Sequence, residues 1–119
     1  MDDKRLESIA SGFRVRLDRL FAQNHRPLAV FSVDNGQFAV HGIQVLDSQK
    51  GPFVQMPQIS YKSNGQTIYK DIFHPITAEA RQELYSTVMK LYEQARAEET
   101  QKNAEEKSAD EVPVQGLNL

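Results

Sequence analysis

Three histidines, two isolated aspartates and a scatter of lysines and arginines are the side chains in this sequence that could do chemistry. His25, His41 and His74 stand at no zinc-motif spacing to one another or to another ligand, and the chain has no cysteine to supply a thiolate. Acid–base or metal chemistry needs several such groups converging on one point, and this spacing defines no such constellation. The expected role of each imidazole is a hydrogen bond that pins a turn or an inter-strand contact. Asp47 and Asp71 read as turn-capping residues rather than as a catalytic carboxylate pair. There is no phosphate loop, no GxGxxG and no nucleophile elbow. The expectation is a protein that is not an enzyme, with no metal, no cofactor and no small-molecule substrate.

The cations suggest a different chemistry. Arg14 and Arg16 alternate with apolar residues, with Arg19 and Arg26 nearby. Lys50 precedes a Gly-Pro turn, Lys62 and Lys70 flank an Asn-Gly turn, and Arg81 and Lys90 fall in a helical stretch. Such a set can track a phosphate backbone, and Tyr61 and Tyr69 offer rings for stacking on unpaired bases. An ordinary solvated surface has the same composition, so charge alone does not choose between the two.

The elements that must position these groups follow from periodicity. Phe13, Val15 and Leu17 alternate with Arg14, Arg16 and Asp18, as in a strand with one buried face. Leu28–Val33 is a second strand, and Asp34-Asn35-Gly36-Gln37 is a hairpin turn leading into a third, Phe38–Leu46. The apolar phase of the third strand slips across Gly42, which predicts a β-bulge there. A short strand, Phe53–Met56, follows Gly51-Pro52. Ser63-Asn64-Gly65 joins Ile59–Lys62 to Gln66–Phe73 as a second hairpin.

After His74-Pro75 the period becomes helical. Ile76, Leu84, Val88, Leu91 and Ala95 form one stripe with Tyr85 and Tyr92 at its edge, Thr77 is the expected N-cap, and Glu79 suits the helix dipole. The fold class is therefore α+β: a small antiparallel sheet of four to six strands with two hairpins, then one long C-terminal helix. Residues 1–12 are an N-terminal extension that reads as a short helix, residues 13–97 form the domain, and residues 98–119 read as an acidic, disordered tail. A sheet this small leaves edges and part of a face uncovered, so it is expected to dimerise through the sheet.

The totals agree. The 119 residues allow one domain with a modest core. The net charge of −2 divides into +3 over residues 13–97, −4 over 98–119 and −1 over 1–12, so the domain is mildly basic and the tail acidic. No run approaches the roughly 20 apolar residues of a membrane span, and the charged N-terminus lacks a secretory pattern. A soluble cytoplasmic protein without membrane attachment is expected.

Two phrases carry a family resemblance: FAVHGIQVLDSQKGPFVQMP (38–57) and KDIFHPITAEAR (70–81). They resemble the stage V sporulation protein G family, the septation regulators of bacteria, over roughly residues 13–95. Phe38, Val40, His41, Ile43 and Val45 carry the first part of the likeness. Gly51, Phe53, Val54, Met56 and Pro57 carry the second, and Lys70, Asp71, Ile72, His74, Pro75 and Ile76 the third. The resemblance implies a homodimeric α+β protein that binds DNA or RNA in transcriptional or post-transcriptional regulation, tied to sporulation, septation and cell division. In the loop Gln58–Lys62 only Lys62 keeps the family's charge, Lys70 replaces an arginine, Arg81 matches, Glu83 stands where a basic residue is common, and Gly42 replaces an aspartate.

Taken together, the expected nucleic-acid contacts are Lys62, Lys70, Arg81, Lys50, Arg14 and Arg16, made to phosphates that position the protein without reading sequence. The alternative is a non-catalytic protein–protein interaction module that has lost nucleic-acid binding.

Overall fold

The computed structural model describes the backbone of residues 6–117 and the side chains of residues 6–100. Five strands form an antiparallel meander in chain order: β1 (Glu7–Ala10), β2 (Phe13–Leu20), β3 (Ala29–Asp34), β4 (Ala39–Leu46) and β5 (Phe53–Gln55). A separate two-stranded ribbon follows, β6 (Gln58–Ser63) and β7 (Gln66–Asp71), and then one helix, α1 (Ala78–Leu117). The α+β class expected from periodicity is the observed one. The N-terminal extension differs, because Glu7–Ala10 is a strand and not a short helix. Ser11 and Gly12 both take positive φ, 52° and 80°, and reverse the chain so that Ala10 pairs with Phe13.

The sheet curls around the first half of the helix, which packs against β1, β2 and β5. Its inner face presents Val15, Phe31, Val33, Ile43, Val45 and Val54, which bury against Leu84, Val88, Leu91 and Tyr92. Tyr92 is buried with the stripe rather than at its edge. Ile76 departs from the expected stripe: it lies ahead of the helix and is 87% exposed. Thr77 caps the helix as expected, its Oγ1 accepting from the Ala80 N–H at 3.0 Å and its carbonyl from the Arg81 N–H at 3.0 Å. The helix continues through Leu117, into the Glu-rich acidic segment.

Two bulges set which side chains face outward. In β4, Phe31 pairs with Ile43 and Ser32 with His41, so Gly42 is the extra residue, at φ 95°. This is the predicted bulge. A second one lies at Asp18 in β2, where Leu17 pairs with Phe31 but Arg19 pairs with Val30. Both extra residues flank the middle of β3, and each keeps the apolar residues on either side of it on the inner face.

Candidate nucleic-acid interface

The two bulges bring a polar network together on the outer face of the sheet. Ser32, at 0% exposure, donates its hydroxyl hydrogen to Asp18, and His41 Nδ1 lies 2.8 Å from the same oxygen. With the hydroxyl already donating, the ring's Nδ1–H donates to Ser32 Oγ. Serine, histidine and aspartate meet here, but the serine sits in the middle, bonded on both sides and closed to solvent. This arrangement fastens β2, β3 and β4 to one another; it does not present a nucleophile. The other two histidines also act locally: His25 Nδ1 is 2.9 Å from the Pro27 carbonyl and its ring stacks on Phe21, while His74 Nδ1 is 3.0 Å from the Pro75 carbonyl.

Beside this network, Arg14 grips Asp34. Nε and Nη2 donate to the two carboxylate oxygens, each at 3.1 Å, and Arg16 Nη1 lies 3.6 Å from Asp34 and its Nε 3.7 Å from Asp18. The hydrogen bonds from Arg14 are the main reason the Asp34 carboxyl is held below its ordinary range. The Gly36 N–H and the charges of Arg14 and Arg16 act in the same direction, against the opposing effect of partial burial. Arg14 and Arg16 are thus already engaged with carboxylates.

The ribbon β6–β7 lies almost wholly in solvent. Asn64 and Gly65, both at positive φ (52° and 79°), form the two-residue turn that the Asn-Gly pair predicts. Its base is closed by the Ile72 N–H donating to the Pro57 carbonyl at 2.9 Å. In the register, Ile59 pairs with Lys70, Tyr61 with Ile68, Lys62 with Thr67 and Ser60 with Tyr69. Directly paired residues share a face and neighbours along a strand alternate. Lys62 and Tyr69 therefore stand on one face of the ribbon, Lys70 and Tyr61 on the other.

The six candidate cations are thus distributed rather than merged. Lys62 and Lys70 occupy opposite sides of one ribbon, Lys50 sits in the turn between β4 and β5, and Arg81 lies in the first turns of α1 with Nη1 donating to Tyr85 Oη at 3.1 Å. Among the described residues, Lys50, Lys62, Lys70 and Arg81 form no ion pair. Glu83 is tied to the β1–β2 turn, accepting from the Ser11 N–H at 2.9 Å and from Ser11 Oγ at 3.1 Å. An apolar hollow of about 230 Å³ at the strand-to-helix hinge, beside Phe13, Phe73 and Ile76, has no convergent set of titratable groups. No three of the described His, Asp or Glu side chains are placed to hold a metal ion, and no described helix is long and apolar enough to cross a membrane.

A curled five-stranded meander on one helix, with an exposed basic and aromatic ribbon inserted before it, defines a small α+β protein. The SpoVG family model matches residues 12–94. Relatives named as candidate septation proteins, SpoVG, include one from Thermoanaerobacter sp. (strain X514), 33% identical over 71% of this chain and 89% of its own length. Another from Macrococcus caseolyticus is 37% identical over 71% of each chain, and one from Staphylococcus haemolyticus is 31% identical over 82% of this chain and 95% of its own. The chain belongs to the SpoVG family, as the two phrases of the sequence implied.

Proposed function

We propose that this chain is a non-catalytic, cytoplasmic, homodimeric regulator of the septation type that binds DNA or RNA. One observation carries the reading: a two-stranded ribbon, exposed on both faces, with a lysine and a tyrosine on each. Lysines without carboxylate partners attract phosphates, and exposed rings beside them stack on bases. Lys62 and Lys70 are the principal phosphate contacts, with Lys50 and Arg81 as outlying ones. Arg14 and Arg16 contribute less, since Asp34 and Asp18 already draw on their charge. Pairing of two copies through the sheet doubles the cations available to one nucleic-acid chain and covers open strand edges. The affinity expected of such contacts is ~1–100 μM at physiological salt, without strong sequence preference.

A mobility-shift titration at low salt with pooled DNA and RNA tests the reading, alongside sedimentation of the free protein for its oligomeric state. Absence of any shift would sink it. A second reading is favoured by the exposed apolar side chains Ile59, Ile72 and Ile76 near the ribbon and hinge: a module that docks onto another protein. A pull-down that retains a stoichiometric partner after nuclease treatment, together with no shift, would select that alternative.

A further inference from the structure

Two adjoining hollows of about 490 and 520 Å³ lie between the ribbon and the β4–β5 edge of the sheet. Both fall within the ~300–1,000 Å³ range of small-ligand sites. Four side chains line both: Gln44, Gln55, Gln58 and Tyr69. Gln44 and Gln55 are direct cross-strand partners, so their amides stand side by side on one face. Gln58 is oriented by its own hydrogen bond, Nε2 donating to Asp71 Oδ1 at 2.8 Å, which leaves its carbonyl oxygen free to accept. Each amide offers a donor and an acceptor close together, the pattern with which glutamine reads the edge of a base.

Tyr69 supplies the second component. It is 67% exposed, and among the described residues no ring or guanidinium stacks on it. Lys62 stands on the same face of the ribbon, and Arg26 lines the second hollow. Arg26 is steadied by donating from Nη1 to the Asp47 carbonyl at 3.0 Å, and among the described residues it forms no ion pair. Asp71, also on this face, disfavours phosphate at the base of the ribbon and so leaves that part of the groove to uncharged groups.

We infer that this groove is a nucleobase site: an unpaired base stacks on Tyr69, its edge meets the amides of Gln44, Gln55 and Gln58, and its flanking phosphates lie toward Lys62 and Arg26. The inference rests on the nucleic-acid reading above and adds strand state and base edge to it. Inside a duplex both faces of a base are covered by its neighbours, so stacking on Tyr69 requires an unpaired base and single strands are the ligand.

Fluorescence anisotropy of the full chain tests this with labelled homopolymers of about 12 nucleotides, a length within the ~4–16 that one small domain covers. DNA and RNA versions are compared with a mixed-sequence duplex. Tyr69→Ala is expected to weaken single-strand binding roughly 5- to 150-fold while leaving duplex binding unchanged, and Tyr69→Phe is expected to retain it. Gln55→Leu is expected to change the ranking among homopolymers. Single-strand binding that ignores Tyr69→Ala but still weakens in Lys62→Gln overturns the base site and leaves the nucleic-acid reading standing. An equal loss on strands and duplex, with an unchanged melting temperature, also overturns it. Failure to bind any of the oligonucleotides overturns both.

Discussion

Replacing lysines of the ribbon should change the salt dependence of binding by an amount set by how many phosphates each one neutralises. Each cation that contacts a phosphate on a single strand contributes about 0.7 to the slope of log affinity against log salt. Lys62 and Lys70 lack carboxylate partners among the described residues, so Lys62→Gln and Lys70→Gln should each flatten the slope by about 0.7 for every subunit that contacts the strand, and the pair by about 1.4 per subunit. Between roughly 50 and 200 mM salt, each subunit in contact then shrinks the affinity lost on adding salt by about 2.6-fold for one lysine and about 7-fold for both. Arg14 is the internal control. Its guanidinium meets both oxygens of Asp34 at 3.1 Å, so Arg14→Gln releases no further counterion and should leave the slope within error of the parent. Anisotropy titrations of one labelled oligonucleotide at five salt concentrations give the slopes of the parent and its four variants. An unchanged slope in the double variant, or a drop in Arg14→Gln equal to that of a lysine variant, would refute the reasoning.

Other consequences concern stability. Leu91 lies in the buried stripe of α1, and Leu91→Ala should cost about 2–5 kcal/mol in urea unfolding; a loss below ~1 kcal/mol would mean that the helix is not clamped by the sheet. Thr77→Ala removes the acceptor for the Ala80 N–H and should cost about 1 kcal/mol, with Thr77→Ser restoring most of it. Asp34 should give an acid-sensitive component of stability. Its folded carboxyl titrates below its ordinary value near ~3.9, so over that window the unfolded chain binds more protons and stability falls as pH falls. Asp34→Asn should flatten the dependence of the urea midpoint on pH below about 4. An acid limb as steep as the parent's would remove Asp34 from the account.

Much of the fold can be read in the sequence because it is written in local signals. Asn64-Gly65 fixes a two-residue turn, Thr77 caps a helix, and the phase slip across Gly42 marks a bulge. Strand β1 is not legible from periodicity, because its four residues are too few to show alternation, although Ser11-Gly12 is the kind of pair that reverses a chain. The bulge at Asp18 leaves the same kind of phase slip, with Leu17 and Leu20 three apart, but Asp18 and Arg19 are both polar and nothing in their order shows which of them is unpaired. The grip of Arg14 on Asp34 depends on cross-strand register, which single-strand periodicity does not contain. The separation of Lys62 from Lys70 could have been worked out. A two-residue loop at 64–65 pairs position 62 with 67 and 59 with 70, and 59 and 62 differ by an odd number.

Alternate positions along β6 and β7 address different sides of the same hairpin, so a point substitution retunes one side and leaves its reverse untouched. A change on one surface of the hairpin therefore leaves the side chains of the opposite surface in place. A single fourteen-residue excursion, 58–71, thus carries two separately adjustable surfaces without disturbing the core beneath it.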